Sequence, residues 1–132
     1  DLAQDYVLTA CDLTEALRSA HALAQAVAVL QAAEGALSDA GDERLHLTCR
    51  VRTLRARLAF EAGERSQAIE HYQAALGAAE AWERAWPRRL LPRLVHCRTL
   101  RGLAYAQNYV GDFESSASSF RRAIALCEGL AG

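Results

Sequence analysis

The stretch Gly63-Glu64-Arg65-Ser66-Gln67-Ala68-Ile69-Glu70-His71-Tyr72-Gln73-Ala74-Ala75-Leu76 decides how the chain folds. It opens on a glycine, which tolerates the left-handed backbone of a tight turn, and continues in residues of high helix propensity. Within it Ala68, Tyr72 and Ala75 stand at steps of four and three, so a small, a large and a small side chain share one helical face. The trio recurs upstream as Ala26, Leu30 and Ala33, and downstream as Ser116, Phe120 and Ala123. Three places before each trio stand Leu23, Arg65 and Phe113, and two places before those stand His21, Gly63 and Gly111. The turn repeats together with the helix, the signature of a repeat architecture.

Outward from that stretch the other breaks are Gly41, the segment from Pro87 to Pro92, and Gly111. Between breaks the apolar residues keep helical spacing, as in Leu47, Val51, Leu54 and Leu58, or Leu94, Cys97, Leu100, Leu103 and Ala104. The pattern predicts helices over 3–19, 22–40, 43–62, 65–86, 92–110 and 113–129, an all-α chain of three helical hairpins. Pro92 suits the first turn of its helix, where an N–H has no intrahelical partner anyway.

The stretch quoted above, and Gly111-Asp112-Phe113 with Phe120-Arg121-Arg122-Ala123-Ile124, resemble tetratricopeptide repeats. The resemblance implies a right-handed α-solenoid of three helix-turn-helix repeats, approximately 3–40, 43–86 and 92–129, in one domain over 1–132. The repeats are long, because Ala26 to Ala68 is 42 residues and Ala68 to Ser116 is 48, against about 34 for the family norm. Such long repeats resemble the helical sensor region of maltose-regulator-type bacterial transcriptional activators, and those of kinesin light chains. His21 stands for the turn glycine and Arg65 for a packed aromatic, and Arg55 occupies a position usually apolar.

Composition bounds the rest. With 52% hydrophobic and 23% charged residues among 132, the chain has the means to fold and is not of disordered type. All fifteen basic residues are Arg, and Met is absent, which suggests a piece of a longer polypeptide. The longest uncharged run, between Arg18 and Glu34, contains His21, Gln25 and Gln31 and does not read as a membrane span, nor is a signal peptide seen. Cys11, Cys49, Cys97 and Cys127 lack CxxC spacing and read as reduced, structural thiols of a cytoplasmic protein.

Charge is segregated: residues 1–49 carry net −6, residues 50–101 net +6 and residues 102–132 net −1. Two readings of the Arg-rich block stand, a face for an anionic partner and internal pairing with the acidic N-terminal repeat and nearby glutamates. Nucleic acid is disfavoured for this segment, which lacks net positive charge and a recognisable module. In tetratricopeptide arrays the first helix of each hairpin lines a concave groove. Carried over, that geometry places Glu15 and Arg18, then Arg50, Thr53, Arg57 and Phe60, then Arg98, Arg101, Tyr105, Asn108 and Tyr109 along it. The implied function is a non-catalytic module holding an acidic peptide or helix. The alternative is a ligand- or peptide-sensing segment of a bacterial transcriptional regulator, and terminal helices without polar outer faces leave self-assembly open. Tyr105 and Tyr109 equally fit packing on the following helix at their i, i+4 spacing.

No Ser-His-Asp arrangement, phosphate-binding glycine loop or paired acidic motif is present, so no enzyme and no cofactor are expected. His46 and Cys49 with His96 and Cys97 supply nitrogen and sulfur, but adjacent His96 and Cys97 diverge on a helix, and no metal is expected. Ser115, Ser116, Ser118 and Ser119 beside Glu114 read as a solvated helix start.

Overall fold

A computed structural model describes residues 1–39 and 44–131. It is all-helical: α1 (Leu2–Ser19), α2 (Leu23–Asp39), α3 (Leu45–Glu61), α4 (Arg65–Ala85), α5 (Leu90–Tyr109) and α6 (Phe113–Ala131), with no strand among the described residues. Neighbouring helices pack in pairs, and α3 additionally touches both α1 and α5, so the hairpins stack in a solenoid-like arrangement. The break expected at Gly41 lies outside the described residues.

All three hairpin turns close in the same way. His21, Gly63 and Gly111 take positive φ of 60°, 82° and 85°. The N–H of the next residue reaches back five places, Ala22 to Leu17 (2.8 Å), Glu64 to Ala59 (2.9 Å) and Asp112 to Gln107 (3.0 Å). With the paired bonds from His21 to Arg18, Gly63 to Phe60 and Gly111 to Asn108, each turn is a Schellman motif that satisfies carbonyls at the helix end. His21 thus adopts a glycine's conformation, and histidine is among the side chains that tolerate it best.

At the N-terminus the Asp1 carboxylate caps α1 by accepting from the Gln4 N–H at 2.9 Å. Helix α5 begins two residues earlier than expected, at Leu90, which leaves Pro92 in its first turn and fully buried.

The repeated trios sit where helices meet. Ala26, Ala33, Ala68 and Ala75 are wholly inaccessible, and Leu30 and Tyr72 between them are buried. One cluster joins Val7 and Cys11 of α1, Leu30 of α2, and Leu47, Val51, Leu54 and Leu58 of α3. A second joins Ala56, Tyr72, Leu76, Cys97, Leu100, Leu103 and Ala123 across α3 to α6.

Two expectations are corrected here. Ser116 and Ser119 are buried instead of solvated: the Ser116 hydroxyl donates to the Ala104 carbonyl and the Ser119 hydroxyl to Gln107 Oε1, both at 2.8 Å. A serine that donates inward substitutes for alanine at a close helix contact without leaving its oxygen unpaired. Among the cysteines, all free, Cys11, Cys49 and Cys97 are buried, but Cys127 is exposed on α6. No described helix is long and apolar enough to cross a membrane.

Candidate functional site

The first helices of the hairpins border a groove of about 880 Å³, with α3 and α5 as its two walls and Leu8 and Glu15 of α1 at its edge beyond α3. Helical spacing explains the alignment: Arg50, Thr53, Arg57 and Phe60 recur at three and four residues along α3, and Arg98, Arg101 and Tyr105 along α5, so each set faces one way. Eight of the eleven residues placed along the groove from sequence line it: Glu15, Arg50, Thr53, Arg57, Phe60, Arg98, Arg101 and Tyr105.

Asn108 and Tyr109 do not. They occupy the last turn of α5, where Asn108 is exposed and its carbonyl closes the Schellman turn. Tyr109 packs edge-on against Phe60 with ring centroids 5.0 Å apart, and the Arg65 guanidinium lies 5.2 Å over its ring. That places Arg65 in a cation–π contact where the repeat pattern expects an aromatic side chain. Arg18 also stays out of the groove, because it bridges Glu15 (2.7 Å) and Glu61 (2.6 Å).

The arginines of the two walls differ in electrostatic state. On α3, Arg50 donates to Asp12 at 3.0 Å and Arg57 lies 3.6 Å from Glu15, so the acids of α1 neutralise them. On α5, Arg98 and Arg101 are exposed to solvent and form no ion pair among the described residues. Internal pairing therefore describes the α3 part of the basic block, while Arg98 and Arg101 of α5 are left without an internal carboxylate among the described residues. Arg93, further along α5, is spent on Glu83 at 3.7 Å.

The groove's apolar base includes residues that sequence reading did not place there. Tyr72 and Trp82 reach it from α4, and Leu47, Leu54, Leu91 and Val95 join them. Tyr72 was legible as the large member of its trio but not as groove lining. Burial pushes its phenol above the usual range, and the Arg57 charge beside it offsets part of that. The Tyr72 ring lies on Gly102 so closely that a Cβ there would stand 2.5 Å from Tyr72 Cε1.

The two histidines weighed with Cys49 and Cys97 as nitrogen and sulfur donors have other neighbours. His46 stacks toward Trp82 with centroids 6.1 Å apart, and His96 Nδ1 is 2.5 Å from Glu83 Oε2. Among the described residues no group of three or more such side chains is arranged to hold a metal. Burial raises the Cys49 thiol to about 11 and pushes Cys97 up as well, so neither is a thiolate at neutral pH.

No family model matches the sequence, and no curated protein matches it.

Proposed function

We propose that the chain is a non-catalytic tetratricopeptide-like binding module, which holds an acidic peptide or helix in the groove between α3 and α5. The observation that carries this reading is the pair of unpaired guanidinium groups, Arg98 and Arg101, on the wall of a groove with an apolar base. An arginine without a carboxylate partner is available for a bidentate contact with one supplied from outside. The aromatic ring of Tyr105 beside them offers packing for the stem of such a residue. An acidic amphipathic helix matches both features, with carboxylates toward α5 and apolar side chains toward Leu54, Val95 and Trp82.

The test is selection of a displayed random-peptide library on the immobilised protein and on Arg98→Glu/Arg101→Glu. The expected result is enrichment of acidic peptides that bind less tightly as salt rises, and their loss on the variant with helicity and Tm unchanged. Absence of acidic enrichment, or equal capture by the variant, contradicts the proposal.

A second reading, a ligand-sensing segment of a bacterial transcriptional regulator, draws support from the groove's 880 Å³, which falls within the usual range for small-molecule sites. Under that reading the library yields no acidic consensus, and a small organic anion raises Tm in a manner that Arg98→Glu/Arg101→Glu abolishes.

A further inference from the structure

The seam between α5 and α6 holds two sulfur atoms in contact. Cys97 Sγ and Cys127 Sγ are 2.7 Å apart, and the Cys97 thiol also donates to the Ala123 carbonyl at 3.5 Å. Cys97 is buried, whereas Cys127 is exposed on α6. The other two thiols, Cys11 and Cys49, are buried in separate clusters. One pair of sulfurs therefore combines an accessible thiol with a sheltered neighbour.

The antiparallel register that brings them together is set on both sides of the pair. Toward the turn, the Ser116 hydroxyl donates to the Ala104 carbonyl, Ser119 to Gln107, and Phe120 packs edge-on against Tyr105. Toward the far end, Arg93 lies over Gly129 so closely that a Cβ there would stand 2.6 Å from its Nη2. The middle hairpin shows the same seam without the second sulfur. Moving Cys97 and Cys127 back by the 48-residue repeat gives Cys49 and Ala79, which share a buried cluster. Ala79 is wholly inaccessible, while the seam at Cys127 opens to solvent. A second thiol thus stands at the one copy of this seam position that a reagent in solution reaches.

We infer that Cys97 and Cys127 form a redox modification site whose substrate is a low-molecular-weight disulfide. The Cys127 thiolate attacks one sulfur of that disulfide, whose S–S bond breaks, so one small thiolate leaves and a mixed disulfide forms on α6. Cys97 then gives up its proton and attacks Cys127 Sγ. The mixed S–S bond breaks, the second small thiolate leaves and the Cys97–Cys127 bond forms. Both protons of the protein thiols end on the two released thiols, and two electrons pass to the small disulfide. Excess small thiol runs the same steps backwards. The order follows from access, and it agrees with the state of Cys97: burial and the Cys127 contact push its thiol up to about 11, so it stays protonated until the mixed disulfide stands beside it. The bond staples α6 to α5, the helix against which it packs and which carries Arg98 and Arg101. This inference does not depend on what the groove holds.

The test treats the whole folded protein with glutathione disulfide, quenches with acid, alkylates the remaining thiols after unfolding, and reads intact mass, linked peptides and Tm. The parent is expected to lose two hydrogen atoms, to yield one Cys97–Cys127 linked peptide and to keep Cys11 and Cys49 alkylatable. Because the bond closes a loop between positions 30 residues apart, Tm should rise by about 10 °C and return with dithiothreitol. Cys97→Ala should stop at the mixed disulfide, with one glutathione held on Cys127. Cys127→Ala should keep the Tm of the reduced parent, since Ala79 fills the equivalent place in the middle hairpin, and should no longer respond to the oxidant. A mixed disulfide that persists in the parent, or a dimer joined through Cys127, overturns the inference. So does a link to Cys11 or Cys49, a Tm response retained in Cys127→Ala, or the absence of any reaction at Cys127.

Discussion

Helices α3 and α5 occupy equivalent places 48 residues apart and both present arginines to the same groove, yet only those of α3 are neutralised. The cause is what stands beside each. Helix α3 packs against α1, whose Asp12 and Glu15 reach Arg50 and Arg57. The arginines Arg98 and Arg101 project from α5, beyond the reach of those acids. Net charge along the chain therefore overstates the available cationic surface, and pairing by tertiary contact decides which arginines remain for a ligand. Exposed ion pairs of the α3 kind contribute modestly to stability, so their main consequence is to make one wall of the groove electrostatically quiet.

The two walls share a buried thiol at the same repeat position, Cys49 in α3 and Cys97 in α5, and this gives the largest expected effect. Burial holds Cys49 at about 11 against an ordinary 9.0. A group whose pKa is raised on folding leaves stability intact below the unfolded value and removes it as pH climbs through the folded one. Stability is expected to be flat near neutrality and to fall between about pH 9 and 11, by about 3 kcal/mol from this one thiol. Chemical denaturation across that range checks it, and Cys49→Ala should flatten part of the slope. A slope unaltered by the substitution removes Cys49 from the account.

The walls differ again at the equivalent positions Leu54, which shares one buried cluster with Leu30, and Gly102, which lies against the Tyr72 ring. Two leucines fill one seam, while a tyrosine against a bare backbone fills the other. Gly102→Leu should destabilise by about 2 kcal/mol through overpacking. Tyr72→Leu together with Gly102→Leu, which converts the second seam into the first, should recover most of the loss. Equilibrium urea unfolding of the single and double variants measures this, and additive losses in the double variant would contradict the equivalence.

A smaller effect sharpens the electrostatic contrast. Asp12→Asn with Glu15→Gln releases Arg50 and Arg57, and should strengthen binding of a selected acidic peptide several-fold while lowering stability by about 1 kcal/mol or less. Titration at low salt reads the first and thermal unfolding the second.

Much of the fold was legible because its determinants are local. The turn at His21 could be aligned with Gly63 and Gly111 from spacing alone, and all three adopt the same left-handed closure. The groove face was legible only through the resemblance to tetratricopeptide repeats, whose carried-over geometry put Arg50, Thr53, Arg57, Arg98, Arg101 and Tyr105 on one surface. Three features were not. Asp12 and Arg50 are 38 positions apart in sequence, and nothing local couples them. The α4 residues Tyr72 and Trp82 reach the groove only because α3 and α5 lie alongside their helix. Tyr109 was counted with Tyr105, but the final turn of α5 carries it past the groove to Phe60 and Arg65. The tetratricopeptide reading and its function stand as proposals resting on these residues.

The central claim is that the unpaired arginines of α5, and not the paired ones of α3, hold the ligand. Its most direct test is the affinity of one selected acidic peptide for the parent protein, for Arg98→Gln/Arg101→Gln and for Arg50→Gln/Arg57→Gln, measured at one salt concentration. The account predicts a loss of about a hundredfold for the α5 pair, equivalent to two charge-assisted hydrogen bonds, and a change of only a few-fold for the α3 pair. Equal losses at the two walls, or a larger loss at α3, would contradict it.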